Sequence, residues 1–108
     1  MLPPPSITAL EAFAHREEHT FVDVREPGEQ AQGRIAGALS LPLSVLATPQ
    51  YNPELERNQT YVVYCAAGVR SLKAIEILSA MGFQRLVNMS DGYQGWQSLP
   101  RAGMECAS

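Results

Sequence analysis

The chain has 108 residues and a mass of 11.8 kDa, which suits one common domain and leaves no room for a second core. Hydrophobic residues make up 45% and charged residues 18%, a balance that excludes a disordered chain. The net charge of −3 and the scattered basic residues argue against a nucleic-acid partner.

The N-terminal segment indicates the cellular compartment in which we expect the protein. Residues 1–6 lack the positive region and apolar stretch of a signal peptide, and no apolar run approaches the roughly 20 residues that cross a bilayer. We therefore expect a cytoplasmic protein with no membrane partner. In that reducing compartment Cys65 and Cys106 are expected to be free thiols. His15 and His19 lie four residues apart, but without a nearby cysteine or an HExxH pattern they predict no metal site.

The first predicted helix covers residues 8–18 and begins at a capping box, with Thr8 as N-cap and Glu11 as its reciprocal partner. A short strand rich in β-forming residues follows over residues 21–24, and Pro27 breaks it. In the predicted helix over residues 8–18, the helical period places Leu10, Phe13 and Ala14 on the side that faces the core.

The middle of the chain is rich in loops. A short strand is predicted over residues 38–41, and Ser44 is a candidate cap for a short helix that ends before Pro49. Residues 52–59 are polar and contain a proline, so they predict a turn.

Strands alternate with helices through the second half. Residues 60–64 form a near-continuous apolar run, which is typical of a strand buried on both faces. A helix over residues 71–81 follows, with Gly82 as its C′ residue, then a strand over 85–89 and a helix over 93–99. The core face of the longer helix is predicted to contain Leu72, Ile75, Leu78 and Met81. This alternation predicts an α/β domain with a largely parallel sheet.

The candidate site is the segment from Cys65 to Arg70, between a buried strand and a helix. Ligands of open α/β sheets bind beyond the carboxyl ends of strands, where loop amides and a helix N-terminus stabilise anions. A cysteine thiolate is such an anion, so we expect a lowered pKa for Cys65. Gly68 lets the loop curl, and Arg70 adds a permanent positive charge. A cysteine at a strand end can also be a small core residue, but the glycine and arginine favour a reactive thiol.

Several motifs resemble the rhodanese family. Residues 65–70, Cys-Ala-Ala-Gly-Val-Arg, resemble its six-residue active-site loop, with the cysteine at the persulfide-forming position. Residues 21–29 resemble its upstream signature, which continues through 33–38 and 41–43, and residues 91–96 resemble its C-terminal signature. Three separated matches in the right order are hard to obtain by chance.

The resemblance covers nearly the whole chain and implies a fold. We expect a five-stranded, mainly parallel sheet flanked by helices on both faces. The single domain spans residues 1–108, with residues 1–5 as an extended lead-in and 101–108 as a tail. Asp23 and Arg25 are expected to support this architecture, one side chain facing inward and the other the loop.

The resemblance also implies sulfur transfer. Cys65 attacks the sulfane sulfur of a small donor, thiosulfate or a persulfide, and becomes a persulfide itself. A thiol, cyanide or a cysteine of a partner protein then accepts the sulfur, and no metal or organic cofactor is required. The residues expected to bind the substrate through loop amides are Ala66, Ala67, Gly68, Val69 and Arg70.

Alternatives remain for the loop and its surroundings. Related phosphatases use a loop one residue longer, so the five-residue step from Cys65 to Arg70 favours sulfur transfer over phosphate-ester hydrolysis. Because Arg70 is the only cation in the loop, we expect weak thiosulfate binding, and a protein-to-protein sulfur relay or an interaction module is the alternative function. Tyr93 and Trp96 are expected in the core rather than at a substrate cleft. Cys106 is expected to be a free thiol on the tail rather than a resolving thiol.

Overall fold

In the computed structural model, which describes residues 4–49 and 51–100, five strands form one sheet in which every pairing is parallel. The strands are β1 (Ser6–Ile7), β2 (Thr20–Asp23), β3 (Leu39–Ser40), β4 (Tyr61–Tyr64) and β5 (Leu86–Met89). They are ordered β1-β5-β4-β2-β3 across the sheet. This confirms the predicted α/β class, and it places the carboxyl ends of all described strands at one edge.

Helices cover both faces of the sheet. They are α1 (Ala9–Ala14), α2 (Pro27–Gln30), α3 (Leu43–Leu46), α4 (Arg70–Ala80) and α5 (Gly92–Gln97). Side chains of α1 and α5 pack in one apolar cluster, and side chains of α3 and α4 pack in another. The two clusters lie on opposite sides of the sheet because successive strand residues alternate between them, as Val62 and Val63 do.

The central strand β4 is buried along its whole length, as its apolar run predicts. Val62 and Tyr64 belong to the cluster beneath α1 and α5, whereas Tyr61 and Val63 belong to the cluster beneath α3 and α4. Full burial of one such side chain contributes about 1.5–3 kcal/mol. The residue that follows this strand is therefore held in a fixed place.

The start of α1 is as predicted, but its end is not. The Thr8 hydroxyl accepts from the Glu11 amide at 3.1 Å, and the Glu11 carboxylate accepts from the Thr8 amide at 2.8 Å. The helix then ends at Ala14, and Arg16–Glu18 forms a separate 3-10 turn. The predicted single helix over residues 8–18 is thus two shorter pieces.

Two leucines predicted to face the core lie outside it. Leu10 is 60% exposed, Leu72 is also exposed, and Ala14 is solvent-facing. In both helices smaller residues occupy the inward face and let the helix approach its neighbours closely. The fully buried residues of α1 and α4 are Ala9, Ala12, Ser71, Ala74, Ile75 and Leu78. The predictions for Ile75 and Leu78 are confirmed, and Phe13 and Met81 pack partly buried against the core.

Two short elements were not predicted. The two-residue strand β1 pairs with the end of β5, Ser6 opposite Asn88 and Ile7 opposite Met89. The helix α2 begins at Pro27, which is predicted from the sequence only as the residue that ends the preceding strand. Proline favours the first position of a helix, where its missing amide is not needed.

The helix α3 has a different start from the predicted one. Its N-cap is Pro42, and Ser44 lies inside the first turn. The Ser44 hydroxyl instead donates to the Glu26 carboxylate at 2.6 Å, so it joins α3 to the segment after β2. The helix ends at Leu46, before Pro49, as predicted.

Some predictions concern residues that the structure does not describe. Cys106 and the rest of residues 101–108 lie outside the described residues, as do residues 1–3 of the lead-in. Within residues 4–49 and 51–100, no helix is long and apolar enough to cross a membrane. The same residues contain no group of three or more His, Cys, Asp or Glu side chains arranged to hold a metal ion.

Candidate active site

Cys65 lies at the edge of the sheet where the carboxyl ends of the described strands meet. It follows β4 directly, belongs to the apolar cluster beneath α3 and α4, and is 1% exposed. The chain then turns through residues 66–69 and enters α4 at Arg70. The sulfur atom is thus placed at the carboxyl end of a central strand and at the N-terminus of the longest described helix.

Hydrogen-bond donors converge on the Cys65 sulfur. The backbone amides of Gly68 and Ser71 donate to Sγ at 3.2 Å and 3.3 Å, and the Ser71 hydroxyl lies 3.5 Å away. Burial alone would raise the pKa of the Cys65 thiol. The hydrogen bonds that Cys65 makes with the Ser71 hydroxyl and with the amides of Ser71, Ala67 and Gly68 outweigh that effect and lower the pKa. The expected lowered pKa therefore has a geometric cause.

The tight shape of the loop depends on Gly68. Its φ is +85°, a left-handed conformation that residues with a side chain rarely adopt, and a Cβ there would overlap the carbonyl oxygen of Ser90. The side chain of Asn88, on β5, donates from Nδ2 to the Gly68 carbonyl at 3.3 Å, and its Oδ1 accepts from the Ser71 hydroxyl. Asn88 therefore braces the loop from the neighbouring strand.

The first turn of α5 holds the opposite side of the loop. The amides of Tyr93 and Gln94 donate to the carbonyls of Cys65 and Ala66 at 2.8 Å and 3.0 Å. A trans peptide carries its carbonyl and amide on opposite sides. Fixing the Ala66 carbonyl on α5 therefore turns the Ala67 amide away from α5, toward the sulfur.

Sequence reasoning did not find Ser71 or Asn88 as site residues. Ser71 carried a weak signal, since a polar residue followed the loop directly in the first turn of the helix. Asn88 carried none, because its contact with the loop crosses from β5 to a segment 20 residues earlier.

The loop has a single charged side chain, and a carboxylate pairs with it. Ala66, Ala67 and Val69 are uncharged, and the Arg70 guanidinium makes a bidentate ion pair with Glu29 of α2, at 2.6 Å and 2.7 Å. The hydrogen bond from Arg70 holds the pKa of Glu29 at about 2, and the same bond raises the pKa of Arg70. The predicted loop cation is present, but its donors are directed at a carboxylate that the sequence did not reveal.

Asp23 and Arg25 form a second ion pair, which is buried. The Arg25 Nη2 and Nε donate to the Asp23 carboxylate at 2.8 Å and 3.0 Å, and the Tyr64 hydroxyl donates to it at 2.9 Å. Arg25 also donates to the Gly33 carbonyl at 2.7 Å, and its guanidinium stacks on the Tyr93 ring. Asp23 faces inward, as expected, and Arg25 is also buried but lines the cleft beside the loop, together with Ala66.

A cleft of about 230 Å³ opens beside the loop. Its lining residues are Arg25, Glu29, Gln32, Gly33, Ala66, Tyr93, Gln94 and Gln97. Tyr93 packs partly buried against the core and stacks on Tyr64, as predicted, and it also borders this cleft. Trp96 is in the core as predicted, with its ring against Phe13 and Phe21.

The chain is similar to a known domain family and to proteins whose names state an activity. A family model described as "Rhodanese-like domain" matches residues 6–99. A "Sulfurtransferase" of Allochromatium vinosum is 36% identical over 84 residues, covering 78% of this chain and 77% of the relative. The "Thiosulfate sulfurtransferase PspE" of Escherichia coli is 37% identical over 82 residues, covering 76% of each chain.

Solved structures show the same architecture. A crystal structure of a rhodanese-related protein from Thermoplasma volcanium superposes with a TM-score of 0.76 at 37% identity, covering 89% of this chain and 95% of that one. The agreement extends the sequence match to the arrangement of the whole sheet and its helices.

Proposed function

The chain belongs to the family of rhodanese-like domains, and from that premise we propose that it is a sulfurtransferase that carries sulfur as a persulfide on Cys65. One observation carries the proposal: the amides of Gly68 and Ser71 both point at a buried sulfur, within 3.3 Å. Amides held in this way stabilise negative charge without reorganising during a reaction. They suit first a thiolate and then the terminal sulfur of a persulfide.

In the first step the Cys65 thiolate attacks the sulfane sulfur of the donor. The new S–S bond forms as the bond between that sulfur and the donor breaks, and the donor's remainder leaves with the electron pair. With thiosulfate the leaving group is sulfite, and with a persulfide it is a thiolate. Because Cys65 is 1% exposed, a donor has to present a single terminal sulfur to the loop.

In the second step a nucleophile attacks the terminal sulfur of the persulfide. Cyanide would leave as thiocyanate, and an acceptor thiolate would leave as a new persulfide. The bond that breaks returns its electron pair to Cys65, so the thiolate is restored without a redox partner. The hydrogen bonds that lower the pKa of Cys65 also make its thiolate a good leaving group in this step.

Small persulfides are favoured over thiosulfate as donors. Thiosulfate is a dianion, whereas the loop offers amide dipoles and an arginine whose charge Glu29 neutralises. A donor with less charge loses less hydration on entering the cleft. The compact loop, with Arg70 five positions after Cys65, likewise favours one sulfur atom over a tetrahedral phosphate.

A protein-to-protein sulfur relay is the second candidate. Val69, inside the loop, is 71% exposed, and Leu72 is exposed in the first turn of α4. Apolar side chains beside a reactive group suit contact with another protein better than capture of a small anion. The two candidates share the Cys65 persulfide and differ only in what delivers or receives the sulfur.

Intact-protein mass spectrometry tests the proposal. The chain is incubated with thiosulfate or with a small-molecule persulfide, and the mass gain is measured and located by peptide mapping. The expected result is a gain of one sulfur atom on Cys65, removed by cyanide or by a thiol acceptor. The Cys106→Ser variant should load equally, which keeps the second cysteine from contributing to the signal.

The matched control is Cys65→Ser in the Cys106→Ser background, which should take up no sulfur. Absence of a Cys65 adduct with every donor would contradict the proposal and leave a binding domain. Loading from a persulfide donor far more readily than from thiosulfate would support the donor preference.

A further inference from the structure

The ion pair between Glu29 and Arg70 places a carboxylate between the loop's cation and the cleft. Arg70 opens α4 directly after the loop, and both of its terminal nitrogens donate to Glu29. Glu29 is itself fixed, because its Oε1 accepts from the Glu26 backbone amide at 3.0 Å as well as from Arg70. The carboxylate lines the cleft together with Ala66 of the loop.

The other cation of the cleft is also neutralised. The Arg25 guanidinium donates to the Asp23 carboxylate and to the Gly33 carbonyl. Each guanidinium that borders the site thus faces a carboxylate of its own. Glutamines also line the cleft, and the guanidinium groups of Arg25 and Arg70 are both paired with carboxylates.

We propose that Glu29 is a specificity-determining residue that selects against dianionic sulfur donors by holding the Arg70 guanidinium away from them. This inference rests on the proposed function, since it concerns the donor step at Cys65. Glu29 acts through Arg70 and touches no reacting atom, so it is a positioning residue. We therefore expect its substitution to change the KM of charged donors and to leave kcat, which reports on the chemical step, nearly unchanged.

The geometry explains why release of Arg70 would matter. The side chains of Arg70 and Glu29 are 37% and 36% exposed, so the guanidinium lies at the surface of the site and can turn once its partner is lost. A sulfonate group offers the same oxygen spacing as a carboxylate for a bidentate guanidinium. A released Arg70 can therefore exchange one anion for another.

The experiment compares two donors in the wild-type chain and in Glu29→Gln. Thiosulfate carries two negative charges and methanethiosulfonate one, and both present a terminal sulfur bonded to a sulfonyl group. We expect Glu29→Gln to lower the KM for thiosulfate by about five- to tenfold, the effect of one typical hydrogen bond in a partly exposed place. The KM for methanethiosulfonate should fall by about threefold or less, because its charge is half as large. For both donors kcat should stay within about twofold.

Two controls separate release of Arg70 from a general loss of negative charge. Glu76→Gln removes one exposed carboxylate of α4, paired with Lys73, and leaves the Glu29–Arg70 pair intact. It should change neither KM. In an Arg70→Gln background, Glu29→Gln should no longer lower the KM for thiosulfate.

Folding is checked by circular dichroism and thermal unfolding, and glutamine keeps an oxygen that can accept from the Glu26 amide. An unchanged thiosulfate KM in a folded Glu29→Gln variant would overturn the inference. So would a gain that persists without Arg70, or an equal gain for the two donors. Failure of the proposed function has a different signature, since the wild-type chain would then acquire no sulfur on Cys65 from either donor.

Discussion

Two arginine–carboxylate pairs lie near the carboxyl ends of β2 and β4, and they differ in exposure and in the number of their partners. The side chains of Arg25 and Asp23 are 5% and 0% exposed, and a tyrosine hydroxyl and a backbone carbonyl complete their hydrogen bonds. The side chains of Arg70 and Glu29 are more than one third exposed. We therefore expect similar chemistry to support the fold in one place and, as proposed above, to adjust donor selection in the other.

The comparison has an electrostatic reason. Burial opposes the charged form of Arg25, but the hydrogen bonds and the charge of Asp23 outweigh it and raise the pKa of the guanidinium. Either partner left alone in the core would be a buried, uncompensated charge. The Arg70–Glu29 pair is partly exposed to solvent, so we expect loss of one partner to cost little stability.

The largest expected effect is at the buried pair. Asp23→Asn leaves the Arg25 guanidinium without a counter-charge, and we expect the free energy of unfolding to fall by about 3–5 kcal/mol. Urea denaturation measures it. Glu76→Gln, at an exposed pair, is the matched control and should stay within about 0.5 kcal/mol of wild type. A loss below about 1 kcal/mol in Asp23→Asn would remove the distinction between the two pairs.

An intermediate effect is expected at Ser71, which lies between the core and the site. Ser71→Ala removes the donor to Asn88, so the free energy of unfolding should fall by about 1–3 kcal/mol. It also removes a hydrogen bond to Cys65, so the pKa of the thiol should rise and alkylation at neutral pH should slow several-fold. Urea denaturation and the rate of iodoacetamide labelling measure the two effects. An unchanged pH profile of labelling would show that the hydroxyl does not act on the sulfur.

The smallest effect is expected at the exposed pair. Arg70→Gln should lower the free energy of unfolding by less than about 1 kcal/mol at neutral pH. The pair holds the pKa of Glu29 at about 2 against an ordinary 4.5, so its contribution is complete above pH 4.5 and is lost as the pH falls toward 2. Arg70→Gln should therefore lose less stability than wild type over that interval. Urea denaturation at several pH values measures the free energy of unfolding of both proteins. Equal losses of stability between pH 4.5 and pH 2 would contradict this assignment.

Much of the fold could be predicted because its signals are local. The apolar run of β4 and the capping box of α1 both specify structure within a few residues. The two-residue strand β1 has no periodicity to detect, and its pairing depends on the Pro5 and Ile7 carbonyls, which accept from the amides of Asn88 in β5 and Ser90 just after it. Helical periodicity located an apolar stripe but not its exact rotation, which explains the misplaced Leu10 and Leu72.

The candidate site was predictable in its cysteine and not in the partner of its cation. A cysteine between a buried strand and a helix, followed by a glycine, indicates an anion-stabilising loop from the sequence alone. Glu29 lies 41 residues before Arg70 in the chain, and only the tertiary fold brings them together. Contacts of this kind have no spacing rule, so the loop's cation was predicted without its partner.

The central claim is that loop amides hold the Cys65 sulfur as an anion, and titration of that thiol tests it most directly. The rate of iodoacetamide labelling of Cys65 is followed against pH in the Cys106→Ser variant, with the unfolded chain as reference. We expect a midpoint below that of the unfolded chain, since the hydrogen bonds outweigh burial. A midpoint equal to or above the unfolded reference would contradict the account, because burial would then dominate and the thiol would be a core residue.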